Sequence, residues 1–251
     1  SNVLNKIDSN IEIIGYDSGF FGHSLTGVEF FPEQKISVQH YGDIRDIHQS
    51  MLKEIDAVVH LAGLSNDPIS NEFEKVTADI NQHASVKLAK MASNMGVKNF
   101  VFASSCSMYG QAEIGARKET DPTNPLTAYA RSKIGTENNL RNENLNNMNF
   151  TSLRFATACG WSSRLRLDLV LNDFVASGIK YDEILILSDG SPLRPIIDVS
   201  DMSMAILWAI NNKNMDINTQ NPKNVLSVNV GSNEWNFKIL DLAKKVKEQI
   251  P

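Results

Sequence analysis

The sequence predicts an α/β fold with a parallel sheet covered on both faces, and two observations carry that prediction. Short apolar runs alternate with longer amphipathic ones through the first 155 residues. Those runs are apolar almost throughout, as in strands covered on both faces of a parallel sheet. After about residue 156 the alternation loosens.

Taken in order, IEIIGY (11–16) reads as a strand and ISVQHY (36–41) as another. RDIHQSMLKEI (45–55) predicts a short helix. DAVVHLAG (56–63) is a buried strand ending in small residues. From Thr77 to Met95, residues Ile80, Ala84, Leu88, Met91, Ala92 and Met95 recur at spacings of three and four, and Gly96 stops the helix. KNFVFASS (98–105) and NFTSLRF (149–155) are further buried strands. Between them, after the Pro122 and Pro125 turn region, a helix is expected from Ala128 to Leu145. Beyond residue 156, helices are expected near 168–178, 201–212 and 236–249, with strands near 184–188 and 225–230.

A nucleotide-binding sheet opens with a strand, a glycine-rich turn and a helix. The one candidate turn is Gly15 to Gly22 after IEIIG, but HSLTGVEFFPEQ follows it, with Gly27 and Pro32 where a helix should start. The better reading makes IEIIGY the second strand of the sheet, with Asp17 at its end as the acid that binds adenosine ribose hydroxyls. SNVLNKI (1–7) is then the tail of the first helix. On this reading the first strand and glycine-rich loop are missing from the chain.

Composition bounds the partners. The 251 residues suffice for one large or two small domains, and the net charge of −5 argues against a nucleic-acid surface. No apolar run is long enough to span a bilayer, and the polar start SNVLNKIDSN is no signal peptide. The two cysteines, Cys106 and Cys159, form no framework and read as small buried hydrophobes, so a reducing, cytoplasmic setting is expected. Five histidines (His23, His40, His48, His60, His83) show no metal-ligand spacing, and no metal is expected.

The chemistry centres on Tyr129 and Lys133. Four residues apart, they share one helix face, and Ser105 arrives from the end of an apolar strand. A phenol that works near neutrality must lose about three units from its ordinary value near 10, about 4 kcal/mol. An ammonium about 5 Å away at an effective dielectric near 20 supplies about 3 kcal/mol. Tyr129 is therefore expected to have a lowered pKa and to act as the general acid and base. Ser105 is expected to hold the substrate oxygen. Asp17 favours NAD over NADP, because a carboxylate accepts two ribose hydroxyls and repels a 2′-phosphate. Arg164, Arg166 and Arg194 are candidate clamps for a diphosphate, to which guanidinium forks are matched. Asn172 is a further substrate candidate.

These segments resemble the extended short-chain dehydrogenase/reductase family, in its NAD-dependent nucleotide-sugar epimerase/dehydratase branch. Asp17 matches the ribose-binding acid, and Gly42-Asp43-Ile44-Arg45-Asp46 the family's adenine-contacting "GDIRD". His60-Leu61-Ala62-Gly63 matches "HLAA" with glycine in the last place. Asn81 matches the asparagine that opens the central helix, and Ala103-Ser104-Ser105 with Tyr109-Gly110 matches "SSxxVYG". Tyr129 and Lys133 match the catalytic pair, Leu153-Arg154-Phe155 resembles "LRYF", and Arg194 to Asp201 resembles "RDFxHVxD". The resemblance implies a Rossmann-like, doubly wound domain over 1–155 and a small, mainly substrate-binding lobe over 156–251, interleaved with the last sheet elements and trimmed at its end.

The resemblance also assigns roles. Ser105, Tyr129, Lys133 and Asn81 become catalytic. Asp17, Ser18, Asp43, Ile44, Leu61, Ala62, Gly63, Asn81, Ala103, Ser104, Tyr129, Lys133 and Phe155 become NAD-binding. Ser105, Thr157, Asn172, Arg164, Arg166 and Arg194 become contacts for a nucleotide-sugar substrate. Homodimers are implied, through helices 77–95 and 128–145. Thr157 or Ala156 stands where relatives often carry an asparagine. Dehydratases of the branch carry acidic residues just after the catalytic serine or threonine; here Cys106 and Ser107 stand there, which disfavours 4,6-dehydration. The expected reaction is epimerisation through a transient keto sugar. The alternatives are a keto-sugar reductase or dehydrogenase with net cofactor turnover, and a non-catalytic nucleotide-binding or redox-sensing module.

Overall fold

Three sheets frame the computed structural model, which describes residues 11–29, 31–110, 115–212 and 224–250. The expected helix tail at 1–7 lies outside those residues. β1 (Ile14–Asp17) pairs in parallel with β2 (Val38–Tyr41). β3 (Ala57–His60), β4 (Asn99–Ser105), β5 (Asn149–Phe155) and β8 (Val225–Val230) form a four-stranded parallel sheet in that order. β6 (Thr157–Cys159) and β7 (Leu193–Asp198) run parallel, and β9 (Asn236–Lys238) closes the third sheet antiparallel to β7. Among the described residues, no strand pairing joins β1–β2 to the four-stranded sheet.

Apolar residues on both faces of β4 show why the sheet is covered twice. Phe100 and Phe102 pack in one core with Leu88, Ala89, Ala92, Leu140 and Phe150. Val101 packs on the opposite face with Leu153, Phe155, Ile197 and Ala209. The first core is roofed by helix 84–94 and helix Ala128–Asn142, the second by helix Val199–Asn211. A third cluster (Cys159, Phe174, Ile196, Ile239, Leu242, Ala243, Val246) joins helices Val170–Tyr181 and Ile239–Gln249 to the β6–β7 strands.

Helix starts follow their caps. Thr127 accepts from Ala130 N at 3.2 Å, and Asn66 caps helix Asp67–Glu72 by accepting from Ile69 N at 3.1 Å. Gly96, past the end of helix 84–94, takes a φ of +83°, the left-handed conformation that ends a helix. The central helix starts earlier than its periodicity indicates: it runs from Glu74 to Asn94 and passes through a π-turn at Asp79–His83. Among the described residues, no helix is long and apolar enough to cross a membrane.

Two expected elements differ. Residues 45–55 form two 3₁₀ turns, Ile44–Asp46 and Gln49–Leu52, instead of one helix. The Asp43 and His48 side chains each accept a backbone N–H two residues on, which breaks the segment into separate capped turns. Residues 184–188 form no strand. Ile184 and Ile186 pack against the lobe core while Leu187 is 92% exposed, so the alternation is real, but no neighbouring strand completes a ladder. The lobe's strand is β7 instead.

Candidate active site

The carboxyl ends of the parallel strands carry the expected site residues. Asp17 ends β1, Gly42 and Asp43 follow β2, Leu61 to Gly63 follow β3, and Ser105 ends β4. Ligands of open α/β sheets bind at that edge.

Helix Ala128–Asn142 delivers Tyr129 and Lys133. Its first turn is pinned by Thr127 and by Asn71 Oδ1, which accepts from Ala128 N at 2.9 Å. Lys133 is buried; its Nζ donates to the Ala103 carbonyl at 2.7 Å. The ammonium lies 4.7 Å from the centroid of the Phe102 ring and 5.5 Å from that of Tyr129. Burial pushes its pKa down to about 8, and the Glu137 carboxylate one turn further on works against that fall.

The expected acidification of Tyr129 is reversed. Burial drives the phenol up to about 12. A hydrogen bond with Ser105 and the charge of Arg166 favour the phenolate; Asp67 and Cys106 oppose it. Arg166 contributes the leading cationic charge in favour of the phenolate.

Asn81 is placed in the π-turn and is fully buried. Its Oδ1 accepts from Leu64 N at 2.7 Å and its Nδ2 donates to Leu64 O at 2.9 Å. Those two bonds fix the turn after β3. A Cβ on Gly63 would stand 3.1 Å from Asn81 Oδ1 and 3.6 Å from Lys133 Nζ, so glycine suits the last place of that turn. Behind it, His60 meets Ser85 Oγ at 2.7 Å and is held neutral by burial, with a pKa of about 3.

Several expected ligand contacts are already committed. Ser104 Oγ donates to Glu137 Oε1 at 2.6 Å, and Phe155 is buried in the core beside Val101. Both side chains point into the protein. Ile44 packs against the first core. Asp43 forms a two-point pair with Arg45 (3.0 and 2.6 Å), which holds its carboxyl below the usual range. Asp17 stays exposed at the end of β1, with Oδ1 accepting from Gly19 N at 2.6 Å, and Ser18 Oγ accepts from Phe20 N. Leu61 is exposed, and Ala62, Gly63 and Ala103 are partly so.

The arginines of the lobe also have partners. Arg164 pairs with Glu33 at 2.7 Å. Arg166 grips Asp168 at 3.0 and 2.6 Å and donates to Ser65 Oγ at 2.7 Å. Asn172 donates to Arg166 O and accepts from Gly160 N, so it shapes the arginine loop. Thr157 stands partly exposed at the start of β6. Arg194 is exposed, and its charge favours the Cys106 thiolate against burial, which pushes that thiol up. Ser65 and Asp168, which hold Arg166, and Asn66, which donates to Asp168, are residues that sequence reasoning missed. Ser65 and Asn66 reach their partners across 101 and 102 residues of chain, so no spacing signals them.

The residues that remain open fit a dinucleotide. An exposed carboxylate ends β1, a small-residue turn lies over Lys133, and a hydroxyl and phenol meet beside it.

Comparison with known proteins gives the same picture. The model of the family described as "NAD dependent epimerase/dehydratase family" matches residues 11–231. A putative UDP-glucose 4-epimerase of Methanocaldococcus jannaschii is 29% identical over 182 residues, covering 70% of this chain and 60% of that one. A UDP-glucose 4-epimerase of Streptococcus mutans is 26% identical, over 95% of this chain and 74% of that one. This chain thus spans well under the full length of both. The structure of MoeE5 in complex with UDP-glucose and NAD superposes with a TM-score of 0.77 at 22% identity, over 98% of this chain and 76% of that one.

Proposed function

The chain belongs to the NAD-dependent epimerase/dehydratase family, and from that premise we propose that it epimerises a nucleotide sugar, moving a hydride from a sugar carbon and back. The observation that carries this reading is the convergence of Ser105, Tyr129 and Lys133, the last two one turn apart on a buried helix face. NAD supplies the hydride acceptor and donor when bound. Asp17 would hold its adenosine ribose, the Asp43–Ile44 and Leu61–Gly63 turns its neighbouring parts, and Lys133 its nicotinamide ribose.

The chain's own residues then handle the proton. As the phenolate, Tyr129 accepts it from the sugar hydroxyl, and the resulting phenol returns it to the oxygen of the ketone. Ser105 holds the same sugar oxygen. The Arg166 charge and the Ser105 hydrogen bond favour the phenolate that takes the proton and is regenerated when the ketone is reprotonated, whereas burial favours the phenol. Arg194, the most open of the three arginines, is the first candidate for the substrate diphosphate. Arg164 and Arg166 reach it only by exchanging their carboxylate partners.

Epimerisation is favoured over dehydration because the two positions after Ser105 carry no carboxyl group. Cys106 is a thiol held up by burial, and Ser107 Oγ is buried without a hydrogen-bond partner. Free cysteines suit a cytoplasmic setting. A homodimer is part of the reading, through the groove between helices 84–94 and Ala128–Asn142, lined by His83, Val86, Lys90, Met91 and Asn139. The test is NMR of products from a panel of UDP-sugars with NAD, alongside NADH absorbance. Epimer formation with no net NADH supports the proposal. Stoichiometric NADH change would replace it with the reductase reading, and binding without turnover with the non-catalytic one.

A further inference from the structure

The helix that carries Tyr129 and Lys133 carries a third buried polar residue on the same face, Glu137, at the next spacing of four. Each of the three takes hold of one residue at the end of β4. Tyr129 meets Ser105, Lys133 Nζ donates to Ala103 O at 2.7 Å, and Glu137 Oε1 accepts from Ser104 Oγ at 2.6 Å. Three successive turns of helix are thereby keyed to three consecutive strand residues.

Glu137 is saturated from every side. Oε1 also accepts from Ser152 Oγ at 2.6 Å, and Oε2 accepts from Arg154 at 2.7 Å and Ser227 Oγ at 3.1 Å. Arg154 continues the chain to Tyr109 Oη at 2.7 Å and to Glu119 O at 3.1 Å, and Tyr109 donates to Asn229 Oδ1 at 2.7 Å. Both members of the ion pair are buried, with side chains 1% and 2% exposed. Desolvating such a pair costs several kcal/mol per ion, and apolar side chains of like volume often serve stability as well. Packing alone therefore gives no reason for ions at this place.

We propose that Glu137 is a positioning residue of the active site, locking the Ala103–Ser105 strand end to the catalytic helix and holding the Lys133 ammonium in its working state. This rests on the functional reading above for what Lys133 does, but not for the geometry. The groups facing Lys133 are Glu137 and Tyr129 on its own helix and His60 from β3, with Arg154 from β5 behind Glu137. His60 is neutral, so Glu137 supplies the negative charge that favours the ammonium.

The test uses protein labelled with ¹⁵N-lysine, with the Lys133 Nζ signal assigned from Lys133→Met and followed against pH by NMR, without substrate. Glu137→Gln keeps the shape and drops the charge; Glu137→Met with Arg154→Met leaves no unpaired ion. In each, the Lys133 midpoint falls below that of the parent, kcat at pH 7 drops about tenfold, and KM stays within about twofold. An unmoved midpoint in a folded variant overturns the proposal. If neither variant folds, Ser104→Ala decides: it keeps the charge and removes one rung, and kcat falls about threefold or more at unchanged KM. Parental kcat in Ser104→Ala would then overturn it. A midpoint that falls in a protein with no turnover on any nucleotide sugar sinks the functional reading and leaves this one standing.

Discussion

At the end of β4 the protein gathers Ser105, Tyr129, Lys133 and Glu137, the last two buried and each bonded to the strand end. Elsewhere, Arg164 is paired to Glu33 and Arg166 to Asp168, with the arginine side chains 30% and 40% exposed. The strand-end array is held by several bonds at once: Lys133 Nζ donates to Ala103 O and keeps two N–H groups for other acceptors, and Glu137 has no unfilled oxygen. The arginine lip can exchange partners, because water stabilises each charge while a carboxylate is traded for another anion. A proton transfer demands fixed distances, whereas capture and release of a charged substrate demands contacts that part easily.

The largest effect should follow from removing the phenol. Tyr129→Phe should lower turnover by about 10³-fold while calorimetry finds NAD affinity unchanged. Near-parental turnover would dissolve the contrast, since the strand-end array would then have no chemical task. Next in size is a stability effect. Lys133 has a folded pKa of about 8 against an ordinary 10.5, so between those values the unfolded chain keeps a proton that the folded protein has released. Lys133 therefore penalises folding fully below pH 8, and stability should rise from pH 8 towards 10.5 by on the order of 3 kcal/mol. Tyr129, shifted up to about 12, acts in the opposite sense above pH 10. Urea unfolding of Lys133→Met should lack the rise; a rise that persists would mean the ammonium is not buried.

The lip should respond more mildly. Arg166→Lys keeps the charge but loses the fork on Asp168 and the bond to Ser65. KM for the nucleotide sugar should rise about fivefold, with kcat lowered less, in steady-state kinetics. A large loss of kcat with KM unchanged would move Arg166 into the strand-end array. Smallest of all, Arg164→Ala should change unfolding free energy by about 0.5 kcal/mol, because Glu33 is left in reach of water.

Much of this was legible in the chain. The strands at 99–105 and 149–155 fall where their apolar runs end, because burial on both sheet faces writes itself as a continuous run. The Tyr129–Lys133 spacing fixed the pair on one helix face. What failed to show were features decided by a few local hydrogen bonds, such as the Asp43 and His48 caps that divide residues 44–52. The commitment of Arg166 to Asp168 and Ser65 was equally hidden, since a guanidinium's partner is chosen in space.

The amino-acid order alone determined the alternation of strand and helix, the face shared by Tyr129 and Lys133, and the residues at the strand ends. Those properties repeat with the 3.6- and 2-residue periods of the backbone. Only the tertiary structure decided that the phenol is driven up instead of down, that Asn81 serves the Leu64 turn, and that Glu137 is filled by Arg154 and three serines. The field at an ionisable group is set by what surrounds it in three dimensions, and neither burial nor neighbours across 17 to 90 residues of chain leave a mark in local spacing.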